Sequence, residues 1–135
     1  MTEEILKFTR LTFIIHFVIG VIFTIAFWMP EMTADIYGIA YTDETGAMSL
    51  IIGSVFAALT VSSLFGFLAK EWKEVKIVVI AEIMWLVAGI VTHIMNFSIY
   101  EVGMAVLTLI IMIIILLLFL LTFLQQQDIL KSLWK

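Results

Sequence analysis

The sequence predicts an all-α integral membrane protein, a four-transmembrane-helix bundle with a short extracytoplasmic interfacial helix between helices 1 and 2. The composition is the first indication, because 64% of the 135 residues are hydrophobic and only 13% are charged, whereas soluble proteins carry about 25% charged residues. The second is the placement of the seven Lys and Arg residues, which lie only near the N-terminus, in one mid-chain loop and near the C-terminus. These basic groups therefore mark every second boundary between long apolar segments.

Four apolar segments are long enough to cross a bilayer, since a spanning helix needs about 20 residues at a rise of about 1.5 Å each. Helices are favoured over strands because the segments lack alternation and because lipid leaves no backbone group unpaired. An amphipathic tail follows the last segment and is predicted to lie at the inner interface. Within one domain, residues 1–135, the predicted spans are 11–29, 48–69, 77–97 and 102–124, and the tail is 125–135.

The distribution of charge predicts a multi-pass protein of the cell membrane with N- and C-termini in the cytoplasm, because short cytoplasmic flanks carry an excess of Lys and Arg. The predicted outer loops hold acids and no base. The inner segments mix acids with all the bases, so no nucleic-acid partner is indicated. The absence of Cys from the chain excludes disulfides, thiolate metal sites and thiol catalysis.

The first outer loop, residues 30–46, predicts a short helix on the membrane surface. Pro30 suits the first turn of a helix, where its missing N–H costs nothing. Gly38 is a plausible C-terminal stop for that helix. Thr42 is then a predicted N-cap for the second span, with Asp43 and Glu44 in its first turn.

Small residues run along the second span and predict that it is the central, most enclosed helix, because small-residue ridges let membrane helices approach closely. The short loop 70–76 predicts that the second and third spans are antiparallel neighbours. The fourth span is apolar on nearly all faces, which indicates contact with lipid or with a partner protein. The two ridges of the second span are Ser49, Gly53 and Ala57, and Ser54, Ala58 and Ser62.

Three ionisable side chains, His16, Glu82 and His93, lie within predicted spans, where burial of such groups is costly. His16 lies six residues after Arg10, and Glu82 lies six residues after Lys76. Both are therefore about 9 Å inside the cytoplasmic flank. Because the first and third spans run in the same direction, the sequence predicts that a His16–Glu82 hydrogen bond or ion pair can form.

The third span carries a polar stripe on one helical face, formed by Glu82, Trp85, Gly89, His93 and Asn96. One interpretation is a polar seam that moves protons, holds a polar ligand head or binds a quinone ring. The other is a structural pair that sets helix register, since interhelical polar contacts commonly hold membrane helices together.

No cofactor is predicted for this chain. The two histidines lie about 16 Å apart along the membrane normal, too far to ligate one haem iron from opposite sides. Two separated histidines and one glutamate also do not make a three-ligand cluster, so no metal site is predicted.

Several motifs of the first half resemble a known group. They are Phe27-Trp28-Met29-Pro30-Glu31, Ile36-Tyr37-Gly38-Ile39, Asp43-Glu44 and the small-residue helix around Gly53. The chain is similar in these motifs to small four-helix prokaryotic membrane proteins that are loosely DoxX-like and mostly of unknown function. DoxX is associated, as a membrane subunit, with a quinone-linked thiosulfate oxidoreductase. No catalytic residue of that system matches here, so no catalytic activity of its own is expected.

The sequence favours an accessory or scaffold subunit of a membrane protein complex, or a homo-oligomer, with lateral contacts to lipid and other membrane subunits. One alternative is a proton-coupled small-molecule exporter working as a dimer, with Glu82 as the titrating group. Small multidrug exporters share the size and span count, but their essential acid lies in the first helix, where this chain has His16. The other alternative is a quinone-binding or lipid-binding membrane subunit.

Overall fold

Helices make up most of the protein in the computed structural model, which describes residues 4–127. Four of the helices are long and apolar enough to cross a membrane, which confirms the predicted all-α bundle. Residues 128–135 of the predicted tail lie outside the described residues, whereas Gln125 and Gln126 still belong to the last helix. The helices are α1 (Lys7–Phe27), α2 (Pro30–Tyr37), α3 (Asp43–Leu68), α4 (Trp72–Met95) and α5 (Val102–Gln126), with one 3₁₀ turn at Phe97–Ile99.

The long helices differ from the predicted spans at their ends: α1, α3 and α4 end one or two residues before 29, 69 and 97, and α5 ends two residues after 124. α1, α3 and α4 begin before the predicted starts at 11, 48 and 77, and capping boxes set the starts of α3 and α4. At the start of α3, the Thr42 hydroxyl accepts from the Thr45 N–H at 3.2 Å and the Thr45 hydroxyl accepts from the Thr42 N–H at 2.8 Å. This reciprocal pair is a capping box, so the predicted N-cap at Thr42 is confirmed.

The predicted short helix between the first two spans is present as α2. Pro30 occupies its first turn, and Gly38 ends it in the left-handed conformation with φ 66°. A Cβ added at Gly38 would lie 3.1 Å from the Glu101 Cβ, because the chain entering α5 passes close by. The Glu101 N–H donates to the Tyr37 carbonyl at 2.8 Å. α2 also contacts α1 and α3, so it lies across one end of the bundle.

The two ends of the bundle differ in charge. The acidic end, which α2 covers, holds Glu31, Asp35, Asp43, Glu44 and Glu101; the basic end holds Lys7, Arg10, Lys70, Lys73 and Lys76.

The helices pack as two close pairs, α1 with α3 and α4 with α5, whereas α3 and α4 contact each other far less. The prediction that the second span, α3, is the most enclosed is therefore wrong. α1 has 28% of its membrane window buried, compared with 22% for each of the other three long helices. The small residues of α3 explain the difference, because they let α1 settle between α3 and α5.

Only part of the small-residue surface of α3 is used in packing. Ser49 and Gly53, from the first predicted ridge, are buried, whereas Ser54 and Ala58, from the second, are exposed. A Cβ added at Gly53 would lie 2.5 Å from the Trp28 ring. The first ridge therefore faces α1, and the second predicted ridge is not a packing surface over most of its length.

The basic end is closed by the residues that precede α1. The Ile5 N–H donates to the Lys70 carbonyl at 3.2 Å. The fully buried Gln126 side chain accepts from the Leu6 N–H at 2.8 Å and from the Thr9 hydroxyl at 3.0 Å, and it donates to the Glu4 carbonyl at 3.2 Å. The end of α5 is thereby held to the start of α1.

The outward surface of the bundle is apolar. On α5 the exposed side chains include Leu107, Ile110, Ile114, Leu117 and Leu121, whereas Thr108, Phe119 and Thr122 are buried. This inverts the pattern of a soluble helix and is typical of a helix whose outer face contacts the lipid bilayer.

Replacing Gly66 by Ala tests the close approach of α1 to α3. A Cβ at this position would lie 2.4 Å from the ring of Phe13, which is fully buried. We expect the Gly66→Ala variant to lose about 1–3 kcal/mol of unfolding free energy, as overpacked cores do. Thermal unfolding in detergent micelles measures the loss.

Gly89→Ala is the matched control. A Cβ at Gly89 would meet only the Met112 Cε, at 2.5 Å, and the end of a methionine side chain moves aside easily. Equal melting temperatures for the two variants would contradict the proposed tight contact of Gly66 with Phe13.

Candidate functional site

A histidine, a serine and a glutamate from three helices meet inside the bundle. His16 on α1 has its Nδ1 atom 2.6 Å from the Ser63 Oγ on α3. The Ser63 hydroxyl donates to the Leu59 carbonyl at 3.0 Å. With its one proton directed there, the hydroxyl can accept from the tautomer of His16 that carries the ring proton on Nδ1. The other ring nitrogen, Nε2, faces Glu82 on α4.

Glu82 is buried with few partners. Its side chain is 1% exposed, and its Oε1 atom lies 3.3 Å from the Ser62 hydroxyl. Its Oε2 atom makes no hydrogen bond within the described residues and lies 3.7 Å from His16 Nε2. The predicted His16–Glu82 pairing is confirmed as a contact at ion-pair distance, longer than a hydrogen bond.

A cavity of about 400 Å³ lies between the α1/α3 pair and the α4/α5 pair. It extends from His16 to α2, and its volume is within the range of small-molecule sites, about 300–1,000 Å³. Three phenylalanines form one wall. The Phe56 ring stacks on Phe23 and on Phe27, with centroid separations of 5.3 and 5.5 Å. The cavity is therefore mainly apolar, with a flat aromatic side.

Polar groups line the cavity near the acidic end. The Tyr37 hydroxyl lies 3.0 Å from the Thr108 hydroxyl, and burial raises the pKa of the Tyr37 phenol. His93 donates its Nε2–H to the Ala105 carbonyl at 2.9 Å and stacks on Tyr100, with centroids 5.1 Å apart and an interplanar angle of 9°. The polar groups Tyr37 and His93 at this end of the cavity are thus already hydrogen-bonded to neighbouring residues.

The polar stripe predicted on the third span is divided by the structure. His16, Trp85 and His93 line the cavity, whereas Glu82 is not among the described lining residues and lies beside His16. Asn96 is not among the described lining residues either, and it donates to the Thr92 carbonyl of its own helix at 2.8 Å. The reason is that α4 ends at Met95, so Asn96 is its C-cap.

The cavity reaches the bundle surface between α3 and α4. Met48 on α3 and Trp85 on α4 both line it, and they are 56% and 40% exposed. The two helices contact each other little, so the opening lies on the side of the bundle, in the half nearer the acidic end. Among the described lining residues, Glu44 is the one carboxylate.

Three groups of this site were missed by sequence reasoning about function. Ser62 contacts Glu82, and Ser63 contacts His16. From the small-residue pattern, Ser62 was predicted only to lie on a packing ridge. Tyr37 appeared only in a family motif, although it bonds Thr108 across the cavity. The sequence did contain a signal for the two serines, because adjacent hydroxyls at the membrane depth of His16 and Glu82 can hydrogen-bond to these two side chains.

No protein-family model, curated protein or solved structure matches this chain. The resemblance to DoxX-like proteins therefore remains a prediction that depends on the motif residues alone.

The hydrogen bonds of Glu101 predict that the stability of the acidic end depends on pH. It is the N-cap of α5, and hydrogen bonds from the Gly103 and Met104 N–H groups lower the pKa of its carboxyl. A lowered folded-state pKa contributes stability that is present above the unfolded pKa and is lost as the pH falls through the folded pKa. We expect Glu101→Gln to reduce the loss of melting temperature on acidification.

Melting temperatures of the wild type, Glu101→Gln and Asp35→Asn between neutral and acidic pH test this expectation. Asp35 is an exposed acid of the same end and serves as the control. An acid dependence identical in all three proteins would contradict a stabilising role for the Glu101 carboxylate.

Proposed function

We propose that the protein is a membrane subunit that binds an uncharged, flat ring compound of the quinone class in its cavity. The observation that carries this proposal is the aromatic-walled cavity of about 400 Å³ that begins at His16. Apolar pockets with a few convergent polar groups are the usual form of small-molecule sites.

The lining chemistry supports an uncharged ligand with a ring. The stacked Phe23, Phe27 and Phe56 rings offer aromatic faces and edges, which pack well against another ring. No Lys or Arg is present among the described lining residues, and Glu44 is near the acidic end. An anionic ligand would lose its hydration there without gaining a counter-charge from a Lys or Arg.

The side opening supports a ligand that arrives from the bilayer. An apolar tail can remain between α3 and α4, where Met48 and Trp85 are exposed, while the ring enters the cavity. A ligand that is dissolved in lipid needs no aqueous route to such an opening.

The wider role that we propose is that of an accessory subunit, in the cell membrane, of a larger membrane assembly or a homo-oligomer. The apolar outer surface suits lateral contacts with other membrane subunits as well as with lipid. Both termini are proposed to be cytoplasmic because the basic residues share one end of the bundle. For the exporter alternative we find no additional support, because Glu82 is not among the described residues that line the cavity.

Filling the cavity tests the proposal. Ile111 on α5 lines the cavity, and a tryptophan there removes much of the free volume. We expect Ile111→Trp to weaken the binding of a short-chain benzoquinone, measured by calorimetry in lipid nanodiscs, by about tenfold or more, equivalent to about 1.4 kcal/mol.

Ile110→Trp is the matched control, since Ile110 is the preceding residue and is exposed on the outer face. It should bind the quinone as the wild type does. Equal binding by both variants, or no binding above empty nanodiscs, would overturn the proposal. Lipid that co-purifies with the wild type and is lost only from Ile111→Trp would instead identify the cavity as a lipid site.

A further inference from the structure

A second recess approaches the His16–Glu82 pair from the opposite side. It is a groove between α3 and α4 that begins at the basic end, where Lys70 and Glu74 line it, and continues past Val75 and Val78. Ser62 is its lining residue farthest along α3 from the basic end, about 9 Å from Leu68, the last residue of the helix, at 1.5 Å per residue. Ser62 is also the residue whose hydroxyl lies 3.3 Å from Glu82 Oε1.

The groove and the cavity are thus separated by three side chains in contact. Ser62 lines the groove, His16 lines the cavity, and Glu82 lies between them, with one oxygen toward each. All three groups can both accept and release a proton. A contact between His16 and Glu82 that only held the helices together would not require a groove that ends at Ser62.

We propose that Ser62, Glu82 and His16 form a proton relay that carries protons from the basic end into the cavity. In the resting form Glu82 is a neutral carboxylic acid and His16 is a neutral imidazole with its proton on Nδ1. The Glu82 O–H proton passes from Oε2 to His16 Nε2, which leaves a carboxylate beside an imidazolium with no change in total charge.

The relay is completed on both sides by water or ligand. A hydronium ion in the groove gives its proton to the Ser62 hydroxyl as that hydroxyl turns its own proton from the Leu59 carbonyl, 2.7 Å away, to Glu82 Oε1, 3.3 Å away. The Glu82 carboxyl group then rotates by half a turn about its Cγ–Cδ bond, which brings the new proton to face His16 Nε2 again. The His16 imidazolium releases its extra proton to a water molecule or a ligand carbonyl in the cavity. The 3.7 Å gap between Oε2 and Nε2 closes by a small side-chain movement or through one water molecule.

The groups that pack against Glu82 and His16 from α3 and α5 carry no charge that would compete for the proton. From α3, Glu82 and His16 meet hydroxyls only, those of Ser62 and Ser63. From α5, the Phe119 ring packs against His16 at a centroid separation of 5.1 Å.

Fixed charges lie farther toward the basic end. On α1, Arg10 donates to the Phe67 carbonyl at 2.9 Å. On α4, Lys76 lies six residues before Glu82, and Lys70 and Glu74 lie at the groove mouth. Within the described chain, His16 is therefore the one ionisable group placed against Glu82.

Hydrogen–deuterium exchange of the Glu82 carboxylic acid tests the relay without any ligand. Attenuated-total-reflection infrared spectra in nanodiscs follow the carboxylic C=O band after transfer to D₂O, and the Glu82→Gln variant assigns that band. We expect Ser62→Ala to slow the exchange about tenfold, equivalent to about 1.4 kcal/mol in the barrier.

Two control variants test whether deuterium reaches Glu82 from the groove and not from the cavity. Ser54→Ala removes another α3 hydroxyl that bonds its own helix, at 2.9 Å to the Leu50 carbonyl, and should exchange like the wild type. Ile111→Trp fills the cavity but leaves the groove open, so it should also exchange like the wild type. Nitrogen-15 labelling of histidine reports only His16 and His93, and Glu82→Gln should shift the His16 signals alone.

The proposal is overturned if Ser62→Ala exchanges as fast as the wild type, or if Ile111→Trp slows the exchange as much as Ser62→Ala does. It is also overturned if Glu82→Gln removes no carboxylic band. These outcomes are independent of quinone binding, so the relay and the proposed function can fail separately.

Discussion

Internal pairing of polar side chains along α1 is the constraint on which the bundle depends. The outer surface of the bundle is apolar and meets lipid, which offers no hydrogen-bond partner, so polar groups must find partners inside. One face of α1 supplies most of them. The Thr9 hydroxyl donates to Gln126, the Thr12 and Thr122 hydroxyls lie 3.0 Å apart, and His16 donates to Ser63. Each contact holds α1 to α3 or α5 at one level.

The cavity begins where this pairing ends. Beyond His16 the close contact of α1 with α3 continues, and polar contacts between elements are found again near the acidic end, where the Ser49 hydroxyl donates to the Phe27 carbonyl at 2.8 Å and the Tyr37 and Thr108 hydroxyls lie 3.0 Å apart. The space between the helix pairs at this level is walled by Phe23, Phe27 and Phe56. The bundle is therefore closely packed near the start of α1, where the paired hydroxyls lie, and open near its end, where the aromatic rings lie.

His16 and Glu82 lie at the boundary of these two regions. The same pair separates the cavity from the groove, while His16 also bonds Ser63 on α3, so a structural role and a proton role are compatible. The two roles depend on different atoms. Register depends on the Nδ1 bond to Ser63, whereas proton movement would depend on the Nε2 atom and on both oxygens of Glu82.

Apolar length and capping residues determined the outline of this protein from the sequence by itself. The four spans, the α2 helix between Pro30 and Gly38 and the cap at Thr42 could be predicted because each depends on local residues. The level of His16 with Glu82 could be predicted because helical rise is constant.

Only the tertiary structure decided which helices pack closely, because small residues occur on several faces of α3 and the sequence does not say which face meets α1. It also decided that Glu82 is turned toward Ser62 and His16 while Trp85 is turned toward the cavity. The cavity and the groove are gaps between helices, and gaps depend on how all the helices pack together and not on any one segment.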